Sequence, residues 1–124
     1  MRYIIIIFCC LGCNLKEKSD ANGDCKVIFK NKAEIMIAIC KYENNYFEMY
    51  IHNIDNAPQD SVLVYYNWGV NYLLKNKITH CYIVSRSKNQ EANDQLYLKS
   101  IKNSKMMNKI NVTDQGDGFS VTTK

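Results

Sequence analysis

Histidine, arginine, proline and tryptophan are all scarce in this 124-residue chain: two His (His52, His80), two Arg (Arg2, Arg86), one Pro and one Trp. Two histidines leave little room for metal or acid–base chemistry, and their neighbourhoods carry no His-Glu-x-x-His pattern. Gly-x-Ser-x-Gly, Walker and dinucleotide-binding fingerprints are also missing, and the carboxylates are scattered. Few arginines and no basic run in the sequence argue against nucleic-acid binding. One Pro and five Gly exclude collagen-like and linker-like chains. No apolar run reaches 18 residues, so no spanning helix is expected. No internal repeat is visible.

What is present is ordinary for one small globular domain: 47% hydrophobic residues, nine Tyr, and a net charge of +4. Six cysteines are unusual for this length, and three of them (Cys9, Cys10, Cys13) crowd the N-terminus. There Met1-Arg2 is followed by an apolar stretch from Tyr3 to Leu11 and then Gly12-Cys13. Nine residues make about 14 Å of helix, under half a bilayer core. A charged start, a short apolar core and a small residue at the boundary are the marks of a signal peptide. A metal site on Cys9, Cys10 and Cys13 is the alternative, but no second ligand pair accompanies them.

Cys10-Leu11-Gly12-Cys13 resembles the lipobox of bacterial lipoproteins, although Cys10 stands where Leu is usual. The resemblance implies cleavage before Cys13, with lipid on its sulfur and on the new N-terminus. Asn14 rather than Asp after that cysteine implies an outer-membrane protein facing the periplasm. The expected organisation is a signal peptide over 1–12, a lipidated Cys13 and polar tether over 13–24, and a globular domain over 25–124. Eleven tether residues reach at most about 36 Å and on average about 18 Å. Lys16 and Lys18 lie in this tether, where they would meet headgroups or simply solvent.

The body reads as α+β: an antiparallel sheet opening with a three-strand meander, one main helix packed on a face, a second helix and a C-terminal hairpin. Strands are expected over 26–30, 35–42 and 46–52. A four-residue loop at 31–34 pairs Lys30 with Ile35, and therefore Cys25 with Cys40. A two-residue Asn44-Asn45 turn pairs Glu43 with Tyr46. Together these registers place Val27, Phe29, Met36, Ala38, Cys40, Tyr42, Phe47, Met49 and Ile51 on one face. Isoleucines 35, 37 and 39 make the middle strand apolar on its other side as well, as in a strand covered on both faces.

Residues 56–75 are expected to be helical, with Asn56 as cap, Pro58 in the first turn, and a stripe of Val62, Leu63, Tyr66, Val70, Leu73 and Leu74. Gly69 counts mildly against this helix. A strand follows over 78–85, then a helix over 90–105, with Tyr97, Leu98, Ile101 and Lys105 at helical spacing. A hairpin of 106–113 and 119–122 closes the chain. Asn111 to Thr122 has the length of a calcium loop but lacks its carboxylates, so it reads as a polar turn.

Three functional expectations follow. In an oxidising compartment Cys25 and Cys40 form a disulfide across their hairpin, with Cys40–Cys81 as the rival pairing. Tyr65, Trp68 and Tyr72 flank the helical stripe and are the expected partner-binding residues. The third concerns activity. No metal or cofactor is expected, and no catalytic residue is assigned. The leading reading is a non-enzymatic envelope lipoprotein that binds another protein, as toxin-immunity proteins and secretion or pilus accessories do. The alternatives are an envelope hydrolase pairing Cys81 with His52 or His80, and a soluble secreted domain.

Overall fold

In a computed structural model residues 24–124 are described, so Cys13, the signal segment and most of the tether lie outside the described residues. The strands are β1 (Asp24–Lys30), β2 (Met36–Lys41), β3 (Phe47–His52), β4 (His80–Arg86), β5 (Ile110–Asp114) and β6 (Phe119–Thr123). The helices are α1 (Val62–Lys75) and α2 (Gln90–Ile101). The six strands form one sheet in the order β1-β2-β3-β4-β6-β5. All neighbours are antiparallel except β3 and β4. Parallel strands need a crossover, and α1 supplies it. The fold is α+β, with the N-terminal meander, main helix, second helix and closing hairpin that the sequence implies.

Cys25 lies opposite Cys40 and the two are bridged, with Cα atoms 3.9 Å apart. The link spans 15 residues, a loop whose closure in the unfolded chain stabilises the domain by about 3 kcal/mol. A Cys25→Ser/Cys40→Ser protein is expected to lose stability of that order. Urea titrations of both proteins check it, and equal midpoints would refute it.

The first hairpin departs from the expected register beyond this pair. A bulge at Ile28 shifts the ladder, so Phe29 faces Ile37 and Lys30 faces Met36. Phe29 thereby turns to the helix side, where its ring lies 5.1 Å from Trp68 and 5.9 Å from Tyr65. The second hairpin is displaced by one residue: Lys41 pairs with Phe47 and Cys40 with Glu48. Its connection is a single 3-10 turn at Glu43–Asn45, with both Asn44 and Asn45 at positive φ. Tyr42 N–H reaches Tyr46 O at 2.7 Å across it. This longer loop breaks up the expected face. Ile37, Ile39, Met49 and Ile51 are buried together under the helices. Met36, Ala38 and Cys40 join Glu48, Tyr50 and His52 on the other side. Among the described residues no helix covers that side, so the middle strand is not sandwiched. Burial of four large aliphatic side chains outweighs the fit of a two-residue turn.

The main helix starts at Val62, six residues later than expected. Asn53 is left-handed, and two 3-10 turns, Ile54–Asn56 and Gln59–Ser61, lead into it. Asn56 does not cap it but donates to Ala33 O at 2.7 Å. Of the expected stripe, Val62, Tyr66, Val70 and Leu73 are buried, and Leu63 and Leu74 partly so. Gly69 is a requirement of packing: a Cβ there would stand 2.6 Å from Met49 Sδ. The second helix ends at Ile101 rather than 105, and a 3-10 turn at Lys105–Asn108 carries the chain to β5. The core is closed by an aromatic trio from three elements. Tyr66, Tyr97 and Phe119 have ring centroids 5.2–6.0 Å apart.

Candidate functional site

The uncovered sheet face is built from strand positions alone, because directly opposed residues point the same way. One row holds Val27, Ala38, Tyr50 and Val84; the next holds the Cys25–Cys40 bridge, Glu48, Tyr82 and Ser120. A third holds Met36, His52 and Arg86. Tyr42 and Tyr46 overhang the other end, beside His80.

These side chains hold one another in place. Glu48 accepts hydrogen bonds from Tyr46 Oη and Tyr50 Oη, one on each carboxylate oxygen. The Arg86 guanidinium lies 5.0 Å from the Tyr50 ring, and His52 stacks on the same tyrosine at 6.2 Å. Tyr82 Oη donates to Asp117 in the β5–β6 turn. Desolvation, reinforced by the bonded carboxylates, pushes the Tyr46 and Tyr82 hydroxyls up to about 12. They therefore stay protonated as donors at neutral pH. Burial and then the charge of Arg86 lower the His52 pKa, so its imidazole is neutral there.

A cleft of about 440 Å³ opens at one end of this face. It exists because β6 pairs with β4 only from His80 to Ile83, leaving Val84, Ser85 and Arg86 without a neighbour on that side. Tyr50, Tyr82, Val84, Arg86, Gln90 and Asp117 line it, with Ser85 and Ser87. Gly118 lets the hairpin approach so closely: a Cβ there would stand 2.6 Å from Ile83 O.

Behind the cleft is Asp94, a buried carboxylate. Tyr66 Oη donates to it at 2.6 Å and Gln90 Nε2 donates to its other oxygen. Ser85 Oγ is buried in the same region without a well-formed hydrogen bond of its own. Burial raises the Asp94 pKa against these hydrogen bonds, and Asp114 adds to the rise. The folded state therefore holds this proton more tightly than the unfolded chain does. Stability from this group is fully present below the unfolded carboxylate pKa of about 3.9, and is lost as pH rises through the folded value. Asp94→Asn keeps an acceptor for Tyr66 while removing the charge. The variant is expected to gain on the wild type steadily as urea titrations move from pH 3.5 to 7. A constant difference across that range would refute the assignment.

No family model, curated protein or solved structure matches the chain. The chemistry of the site therefore rests on geometry.

The structure does not bring either histidine to Cys81. Cys81 is buried, opposite Phe47 and Val121 on the helix side of the sheet. His80 and His52 stand on the uncovered side, His52 at the far end of β3, opposite Arg86. Burial, with the Glu48 charge, pushes the Cys81 thiol up to about 12, the reverse of an activated nucleophile. Among the described residues no cluster of His, Cys, Asp and Glu has metal-binding geometry.

Tyr65, Trp68 and Tyr72 are half-buried on the helix side. Trp68 stacks on Tyr72 at 5.8 Å and packs on Phe29, while Tyr65 Oη accepts a bond from Asn31 Nδ2 at 2.9 Å. They form a ridge over β1, leaving part of each ring accessible. Sequence reasoning missed the tyrosines of the other face. Tyr46, Glu48 and Tyr50 alternate along β3, a period-2 signal that the one-residue register error concealed. Asp94 carries no such signal, since nothing in a polar helical segment marks one carboxylate for burial.

Proposed function

We propose that this chain is a binding protein of the cell envelope, held to a membrane by lipid on Cys13 and receiving another protein on the uncovered sheet face. The observation that carries the reading is the array of Tyr46, Tyr50 and Tyr82, already ordered by Glu48, Asp117 and Arg86, with Tyr42 packed on Tyr46. Tyrosine and arginine are the side chains that anchor interfaces, and ordering them beforehand lowers the entropy cost of binding. The Cys25–Cys40 bridge supports export to an oxidising compartment. Asn14 favours the outer membrane, with the domain on the periplasmic side. The role is of the toxin-immunity or secretion-accessory kind, in which recognition rather than catalysis is the task.

A pull-down from envelope extracts tests this. Tyr50→Ala and Tyr82→Ala are each expected to cut capture of the partner at least tenfold with the fold retained by circular dichroism. Capture that survives both but fails in Trp68→Ala would move the partner to the ridge of Tyr65, Trp68 and Tyr72. Retained capture by all three variants would remove both surfaces.

A further inference from the structure

The two ends of the sheet differ sharply in charge. Strand directions place Asp24, the end of β2, the end of α1, the start of β5 and the end of β6 at one end. That end carries Lys41, Lys75, Lys77, Lys105, Lys109 and Lys124, all exposed, against Asp24, Glu43 and, one ladder row further in, the tyrosine-bonded Glu48. The final turn of α2 brings Lys99, and Lys102 follows it, toward the same end. The opposite end holds Lys30, Lys32, Arg86 and Lys88 against Glu34, Asp55, Asp60, Glu91, Asp114 and Asp117. The lysines are far apart in the chain, and backbone bonds gather several of them: Lys124 N–H donates to Lys109 O at 2.8 Å, and Thr123 N–H to Thr79 O at 3.0 Å. None of these six lysines makes an ion pair among the described residues; the pair found there, Lys30 with Glu34, is at the other end.

Lys77 adds an independent observation. It occupies the left-handed position that ends α1, with φ 57°. Ile78 N–H donates to Leu73 O at 2.9 Å and Lys77 N–H to Leu74 O at 3.3 Å, the pattern that closes helices most often through glycine. A lysine there stands against its backbone preference, as Glu34 does at the opposite end, and its ammonium joins the basic end.

We infer that this lysine end is a docking surface for anionic phospholipid headgroups. The inference rests on the reading of Cys13 as the lipid anchor, because the tether enters the domain at Asp24, on this same end. Eleven residues between Cys13 and Cys25 keep the lysines within reach of the leaflet. An all-lysine surface suits the diffuse negative charge of a membrane, whereas reading of a nucleic acid favours the planar fork of arginine, and the domain's one arginine lies at the far end. Docking this way turns the cleft, with Tyr50 and Tyr82, away from the lipid and towards a partner, while Tyr42 and Tyr46 stay at the lipid-facing end.

The test uses the full chain as Cys13→Ser, so that electrostatic docking is measured without an anchor. Vesicles of phosphatidylcholine with 30% phosphatidylglycerol are compared with phosphatidylcholine alone in a flotation assay. Each lysine near an anionic surface is worth about fivefold in partitioning. The chain is expected to favour the anionic vesicles by at least thirtyfold at low salt, and less as salt rises. Changing Lys75, Lys77, Lys109 and Lys124 to Glu should abolish the preference, while changing Lys30, Lys32 and Lys88 to Glu should leave most of it. Lys77→Gly should weaken binding several-fold while raising Tm. No preference for anionic vesicles, equal loss in both charge-reversed proteins, or tighter binding to a DNA duplex in the same buffer would overturn the inference. The anchor reading fails separately, if the wild-type chain isolated from cells carries no acyl mass.

Discussion

In a high-salt wash, which screens the lysine contacts, the Cys13→Ser protein is expected to leave the membrane fraction almost completely, whereas the wild-type protein stays in it. The apolar stretch from Tyr3 to Leu11 is too short to span a bilayer, and no described helix is long and apolar enough to cross one. On the proposed reading, stable attachment comes from lipid. One acyl chain binds marginally, and two or more anchor durably. The proposed diacylglycerol on the Cys13 sulfur and acyl group on its nitrogen would meet that need. The serine has no thiol to receive the first lipid, so the later steps fail with it. Mass spectrometry of the wild-type protein should show residues 1–12 removed and acyl mass on Cys13. An intact Met1, or wild-type protein found in the soluble fraction, would sink the idea.

Phe119→Ala is expected to be the most damaging single change within the described domain, costing about 3–5 kcal/mol. Phe119 is fully buried where three elements meet. It begins β6, and its ring lies 6.0 Å from Tyr66 of α1 and 5.8 Å from Tyr97 of α2. Removing the ring takes away apolar burial and leaves a cavity that two rigid tyrosines cannot refill, since Tyr66 is also tied to Asp94. A domain of this size has only about 5–15 kcal/mol in all. The urea midpoint should therefore fall steeply at unchanged slope, and Phe47→Ala, at a half-buried position, should cost clearly less. A loss below about 1 kcal/mol for Phe119→Ala would show that the trio is not the keystone of the core.

Local regularity made some of the fold readable. The α1 stripe repeats over fourteen residues, so an error in where the helix begins did not alter which face is buried. Cys25 and Cys40 were legible as a pair because the bulge at Ile28 offsets a loop one residue longer than expected and restores their register. The second hairpin was not legible. Side chains in a strand alternate with period two, so one extra loop residue exchanged Ile37 and Ile39 for Met36 and Ala38 as the core set. Both sets are apolar, and composition could not choose between them. The tyrosine face was lost from view with that register.

The sequence by itself determined the α+β class, the helical stripe, the hairpin disulfide and the presence of a lipobox-like N-terminus. Each of these depends on residues close together in the chain. Tertiary structure alone decided that β3 and β4 run side by side in parallel, that Cys81 and the histidines stand on opposite faces, and that Asp94 is buried beneath Tyr66. It also decided that lysines from β2, α1, β5 and β6 share one end of the sheet. These juxtapositions join residues tens of positions apart. They follow from which strands become neighbours, a choice governed by the summed burial of the whole core rather than by any local pattern.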